Sequence, residues 1–199
     1  AFSEKDMDLI KKKKASVVWC GDSNMFMFNE TTNIKMLLDK GINVCIGTDS
    51  PMSGGENLLQ EIKFDRKLYK KMYGIELSDE TIYRMVTVNC AKAFRLHDHG
   101  NIKAGNVADF TVVKDRGGSF VNSVISSELK DIMLVVINGM PAYGDIEYAG
   151  LFDSLKIQYQ EIVLDGREKI IIGDLLGLLR RISRAVGFKK TYPFLPVDF

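Results

Sequence analysis

Two rhythms of apolar residues alternate through the first hundred positions. Ser16-Val17-Val18-Trp19-Cys20 and Ile42-Asn43-Val44-Cys45-Ile46 are short, nearly continuous apolar runs. Such runs, bounded by glycine and polar residues, predict strands of a parallel sheet buried on both faces. Around them the spacing is helical. Ser3 is an N-cap with Glu4 and Asp6 in the first turn, and Met7, Leu9 and Ile10 make the apolar side. Gly21-Asp22-Ser23-Asn24 reads as a loop. Thr31 or Thr32 then caps a helix carrying Ile34, Leu37 and Leu38, which Gly41 ends. Past Gly54-Gly55 a longer helix is predicted over about 56–73, with Leu58, Leu59, Ile62, Tyr69, Met72 and Tyr73 on its apolar side. Ser78 starts another, running to Phe94 through Ile82, Met85, Val86 and Ala93.

Near residue 96 the texture changes. Glycines become frequent and β-rich runs replace helical periodicity, at Val107–Val113 and Ile132–Ile137. Asn138-Gly139 predicts a tight hairpin turn into Pro141–Tyr143, and Asp165-Gly166 a second hairpin joining Tyr159–Leu164 to Glu168–Ile172. Asp174 caps a final amphipathic helix bearing Leu175, Leu178, Leu179, Ile182 and Val186. This divides the chain into an α/β part over 1–95, a β-rich segment over 96–148 and a C-terminal hairpin and helix over 149–199.

Composition narrows the function. The chain has 199 residues, 46% hydrophobic, with a net charge of +1. That charge provides no electrostatic footing for nucleic acid or an anionic membrane, and no apolar run approaches the ~20 residues of a membrane span. Lys11–Lys14 is a solvated helix end. Cys20, Cys45 and Cys90 fall in or beside apolar segments without a Cys-x-x-Cys pair, so they read as buried free thiols of a reducing compartment, the cytoplasm.

Few residues can carry chemistry. His97 and His99 lie in Arg95-Leu96-His97-Asp98-His99-Gly100, after a helix rather than at a strand end, and read as an exposed loop. With two histidines in the chain, no histidine-rich metal site forms from it alone. Ser50 and Ser53 have no histidine partner, so a serine nucleophile has no support. The glycines match no phosphate or dinucleotide loop, which removes a Rossmann-like binding domain. Asp49 stands out, delivered by a strand to its C-terminal tip in Gly47-Thr48-Asp49-Ser50. It could bind a metal, move a proton, or cap the helix that opens near Glu56. Asn24, at the preceding strand's loop, is a turn residue or a pocket residue.

Several segments resemble one family. Val17-Val18-Trp19-Cys20-Gly21-Asp22-Ser23-Asn24 resembles the His-Cys-Pro-x-Ser-Asn loop of amidohydrolase-superfamily enzymes of the cytosine deaminase and chlorohydrolase type. Gly47-Thr48-Asp49-Ser50 resembles their Gly-Thr-Asp motif on the last barrel strand. Thr87-Val88-Asn89-Cys90-Ala91-Lys92-Ala93-Phe94-Arg95-Leu96 is similar to the helix leaving the barrel. Gly100-Asn101-Ile102-Lys103-Ala104-Gly105-Asn106-Val107-Ala108-Asp109-Phe110 is similar to the signature entering the companion β-sandwich. Their order and spacing agree over roughly residues 1–145.

The resemblance implies the C-terminal part of a (β/α)8 barrel plus a β-sandwich segment, in a metal-dependent hydrolase that hydrolyses or deaminates a C–N or C–Cl bond of a small cyclic or heterocyclic substrate. Asp49 would be the catalytic residue and a ligand of a divalent metal, zinc or iron, taking a proton from the attacking water and passing it to the leaving group. Asn24 would line the substrate pocket. The family's His-x-His and later metal histidines are absent, and the last would fall just before Ala1. The chain also opens without an initiator methionine. It is therefore expected to be a fragment with about three of eight barrel strands, inactive and without tight metal alone. Its open edges would pair with the missing N-terminal part of the barrel or with another copy, as a homo-oligomer. The opposing reading is a non-catalytic interaction module with a degenerate barrel.

Overall fold

A computed structural model describes residues 2–199 and resolves them into two compact units. One takes the chain to Asn106 together with Arg116–Ser126; the other holds Val107–Asp115 and Ser127–Phe199. The fold is mixed α/β.

The first unit begins with α1 (Glu4–Lys12), where Ser3 and Asp6 cap reciprocally, as the sequence predicts. Met7 is buried, Ile10 packs beside it, and Leu9 faces solvent. β1 (Ser16–Trp19) follows, and then α2 (Gly21–Phe28) stands where a loop was expected. Its N-cap, Cys20, supplies no side-chain acceptor. The amide of Asp22 instead donates to the Glu61 carboxylate at 3.0 Å. A first-turn donor is thus satisfied by an acid 39 residues away, which no local reading could supply. α3 (Ile34–Asp39) is capped by Asn33, whose side chain accepts from the Met36 amide, not by Thr31 or Thr32.

β2 (Asn43–Ile46) pairs in parallel with β1, Ser16 opposite Asn43 and Trp19 opposite Ile46. These two strands form the first unit's sheet among the described residues, one strand fewer than expected. Val17, Trp19, Val44 and Ile46 face the core, while Val18 on the other face is 55% exposed. α4 (Leu58–Tyr73) is capped by Asn57 and stopped by Gly74 in the left-handed conformation. The helix expected over 78–94 is two, α5 (Asp79–Met85) and α6 (Val88–Phe94). The break falls in the β-branched run Val86-Thr87-Val88, which crowds a helix at χ1. There the Thr87 hydroxyl donates back to the Tyr83 carbonyl at 2.8 Å. Phe94, expected on the apolar face, is exposed. Asn43 and Asn89 staple α6 to β2, the Asn43 amide donating to the Asn89 carbonyl and the Asn89 amide to that of Val44, both at 2.9 Å. α7 (Phe120–Ser126) adds Val121 and Ile125 to this core.

The second unit is a six-stranded sheet. Its strands are β3 (Phe110–Val113), β4 (Ile132–Ile137), β5 (Met140–Asp145), β6 (Tyr159–Leu164), β7 (Arg167–Ile172) and β8 (Val197–Asp198), in the order β3-β4-β5-β7-β6-β8. β3 is shorter than the expected 107–113. Both predicted hairpins form, with Asn138, Gly139, Asp165 and Gly166 all at positive φ. β5 pairs with β7, Tyr143 opposite Ile171, so residues beyond 149 share one sheet with those before it. α8 (Ala149–Ser154) buries Phe152, and α9 (Leu175–Val186), capped by Asp174 as predicted, buries Leu179. No helix among the described residues is long and apolar enough to cross a membrane.

Candidate functional site

β1 and β2 run in the same direction, so their C-terminal ends lie together. The Gly47 amide extends the pairing by donating to the Trp19 carbonyl at 2.8 Å. Beyond it the chain turns at Asp49, a non-glycine residue with φ 55°. That left-handed conformation is uncommon outside glycine, and aspartate is among the residues that tolerate it.

The Asp49 side chain is exposed and held from one side only. Ser23, buried in the first turn of α2, donates its hydroxyl to Asp49 Oδ2 at 2.6 Å. Ser53 donates to the same oxygen at 3.3 Å. Both bonds land on Oδ2, and among the described residues Oδ1 receives none. The short turn returning Ser53 is closed by the Ser53 and Gly54 amides on the Ser50 carbonyl, at 3.0 and 2.8 Å. Asp49 does not cap α4, a task Asn57 performs by accepting from the Gln60 amide at 3.1 Å.

Asn24 belongs to a separate chain of bonds. Trp19 Nε1 donates to Thr31 Oγ1 at 3.0 Å, and Thr31 Oγ1 donates to Asn24 Oδ1 at 3.0 Å. Thr31's single proton must go to an acceptor, which assigns the Asn24 oxygen to that contact. His97 is exposed, and His99 Nδ1 lies 2.7 Å from an Asp98 carboxylate oxygen. No set of three or more His, Cys, Asp or Glu able to hold a metal occurs among the described residues.

Beneath Asp49 lies a layer of acids. Glu61 and Asp65, both on α4, are fully buried. Glu61 accepts from the amides of Asp22 and Gly55, each at 3.0 Å. Both oxygens of Asp65 are buried without a hydrogen-bond partner. Burial, reinforced by Glu61, holds the Asp65 carboxyl well above the usual carboxylate range. Burial also pushes Glu61 up, against the pull of its amide donors. Cys20 is pushed up to about 11 by burial and by the neighbouring carboxylates, so its thiol stays protonated. Cysteine nucleophilic chemistry is thereby disfavoured here.

Sequence reasoning singled out Asp49 and missed Ser23 as its partner, Ser53 as its second donor, and Glu61. One signal for the acids was available. Glu61 and Asp65 recur with Ile62, Leu68 and Tyr69 at helical spacing, placing two carboxyls on the buried side of α4.

Chemically, the arrangement is an exposed carboxylate with one oxygen committed to two hydroxyls and the other without a bond among the described residues. It can accept and return a proton, or contribute one bond to a cation. One carboxylate is short of the three protein ligands a catalytic zinc centre requires. The described residues thus fit a share of a metal centre and not a whole one.

Known proteins are similar to much of this chain. A 5-methylthioadenosine/S-adenosylhomocysteine deaminase of Caldicellulosiruptor saccharolyticus is 29% identical over 152 residues, covering 71% of this chain and 35% of that protein. The structure of Escherichia coli guanine deaminase superposes with a TM-score of 0.63 at 25% identity, over 70% of this chain and 36% of the enzyme. An adenosine deaminase from Xanthomonas campestris, solved with bound zinc, reaches 0.66 at 23% identity over 78% of this chain and 39% of its own, a likeness of fold. The chain thus spans little more than a third of each relative's length. A sequence profile of the amidohydrolase family matches residues 2–142, across both strand tips and the Asp49 turn, and the chain belongs to the amidohydrolase family.

Proposed function

We propose that this chain is the C-terminal part of a (β/α)8 metal-dependent hydrolase, and that the complete protein deaminates a small aminated heterocycle of the purine base or nucleoside class. Asp49 supports the reading most directly: a carboxylate at a parallel-strand tip, fixed at Oδ2 and open at Oδ1. The half-covered sheet supports the barrel. Parallel strands are ordinarily buried on both faces, and Val18 is exposed on one. Further strands from the rest of the barrel, or from a second copy, would cover it.

Asp49 does two things in this scheme. Its open oxygen takes the proton of the attacking water and later gives it to the departing nitrogen. The two serine hydroxyls hold the carboxylate plane fixed while Oδ1 is protonated and deprotonated, so little geometry must be reorganised between the two transfers. A divalent metal, zinc or iron, bound through Asp49 and ligands outside this chain would supply acidity, lowering the pKa of a water from ~15.7 towards ~7. The Asn24 amide nitrogen, on the group whose oxygen Thr31 occupies, is a donor available to substrate.

The complete protein, loaded with zinc, should release ammonia from aminopurine bases or nucleosides, and the isolated chain should not. Absence of metal and of ammonia or chloride release from purine and chlorinated-triazine substrates would favour a non-catalytic module instead.

A further inference from the structure

The layer beneath Asp49 has a role that a burial argument alone does not explain. A carboxylate inside a protein costs free energy unless it is well bonded. Glu61 is fully buried, and its two oxygens are spent on two different loops. Oε1 accepts from Asp22 in the first turn of α2, the turn that carries Ser23. Oε2 accepts from Gly55, at the end of the turn that carries Asp49 and Ser53. The serines that grip Asp49 therefore come from two segments that meet at the hydroxyls themselves, Ser23 Oγ lying 3.3 Å from Ser53 Oγ, and that are tied a second time, through their backbones, by one side chain on α4.

The surroundings are built to admit that side chain. A Cβ at position 55 would lie 2.7 Å from Glu61 Oε2, and one at position 21 would lie 1.9 Å from Asp65 Oδ1. Glycine at both places lets the two backbones close onto the acids. Asp65, one helical turn further on and buried without a partner, backs Gly21 from below. α2 itself is marginal in isolation, eight residues with no side-chain cap, so a carboxylate at its N-terminus has a large influence on whether its first turn forms.

We propose that Glu61 is a positioning residue for Asp49: it ties the first turn of α2 to the turn after β2, and so keeps the Ser23 and Ser53 hydroxyls on Oδ2 and Oδ1 turned outward. The proposal rests on the reading of Asp49 as the reacting carboxylate. Glu61 itself need not touch substrate.

Glu61→Gln tests it. Glutamine keeps the size and can accept from one of the two amides, but presents N–H to the other. In the complete protein this variant should lower kcat by about 10- to 100-fold, the usual range for a residue that orients a reacting group. KM should change little, and the thermal midpoint should fall modestly, because one buried amide now faces an N–H. Hydrogen exchange should show lost protection in peptides spanning 21–28 and 53–57, with β1 and β2 still protected. Ser23→Ala should then cost less in the Glu61→Gln background than in the wild type, because both changes remove the same grip on Asp49. Wild-type kcat in Glu61→Gln, or strictly additive losses with Ser23→Ala, overturns the proposal. If Glu61→Gln unfolds, Gly55→Ala is the second variant: its Cβ displaces the Oε2 bond without removing the acid, and it should lower kcat in the same way with protection lost over 53–57; wild-type kcat there overturns the proposal. Failure of the parent reading would look different. Asp49→Asn would keep its turnover, whereas failure of this proposal leaves Asp49→Asn dead and Glu61→Gln active.

Discussion

Each unit buries charged side chains completely, and they treat them in opposite ways. In the second unit Lys169 is fully buried on β7. Its ammonium has three N–H groups and finds three acceptors, the Asp145 carboxylate and the carbonyls of Lys130 and Ile132 at 3.1 and 2.8 Å. Every donor is used, the opposite charge is at hand, and the group ties β5 and β7 to the start of β4. In the first unit two acids, Glu61 and Asp65, are buried one turn apart with no cation beside them among the described residues, two amides for one and no hydrogen-bond partner for the other. The first arrangement is what a sheet needs. The second serves stability poorly, and it sits beneath the carboxylate at the strand tip. An unsatisfied buried acid retained beside a candidate site is more readily explained by what it holds in place than by the fold it costs.

The largest expected effect is on the satisfied side. Lys169→Ala leaves a half-buried carboxylate and two carbonyls without their donor and should destabilise the second unit by about 3–5 kcal/mol, the usual result of breaking a buried pair from one side. Urea unfolding followed by a probe in the second unit measures it. A loss below about 1 kcal/mol would mean that the pair behaves like a surface bridge and that the contrast is false.

The unsatisfied side makes a smaller prediction, whose sign depends on pH. Burial raises the folded-state pKa of Asp65 above the ordinary carboxyl value, so the folded protein keeps a proton that the unfolded chain gives up. Its contribution is fully present below the unfolded pKa of about 4 and is lost as pH rises through the folded value. Asp65→Asn removes that dependence. Relative to the wild type, the variant should gain stability between pH 4 and pH 7 and gain nothing below pH 4. Unfolding midpoints at pH 4, 5.5 and 7 decide it. A constant difference across that range would show that burial does not raise the Asp65 carboxyl in the folded protein.

What the chain reveals on first reading follows the same division. Local chemistry was legible. Ser3, Ser78 and Asp174 announce their helices because a cap and its amide lie three residues apart. Asn138-Gly139 and Asp165-Gly166 announce hairpins because the turn demands positive φ at both positions. The Gly47-Thr48-Asp49-Ser50 motif is likewise contained in four residues, and the structure sets it at the end of β2 with Asp49 at positive φ. Long-range chemistry was not legible. α2 was read as a loop because its N-terminal acceptor is Glu61, far along the chain. Ser23 reads as one residue of the Gly21–Asn24 loop, and only the parallel register of β1 and β2 sets its helix beside Asp49. The pairing of β5 with β7 was hidden too, since a strand's edge partner across an intervening helix leaves no local pattern. Val86-Thr87-Val88 carried its own warning, three β-branched residues in a row, outweighed in the reading by the apolar spacing on either side.

The central claim is that the carboxylate at the tip of β2 moves the proton in the reaction of the complete protein. Asp49→Asn keeps the shape of the side chain and removes the base. Ammonia release by the zinc-loaded complete protein should fall by at least about 100-fold, the lower bound for loss of a general acid–base group, with the fold intact by circular dichroism. Turnover within about threefold of the wild type, at full metal content, would place the proton transfer elsewhere and contradict the account.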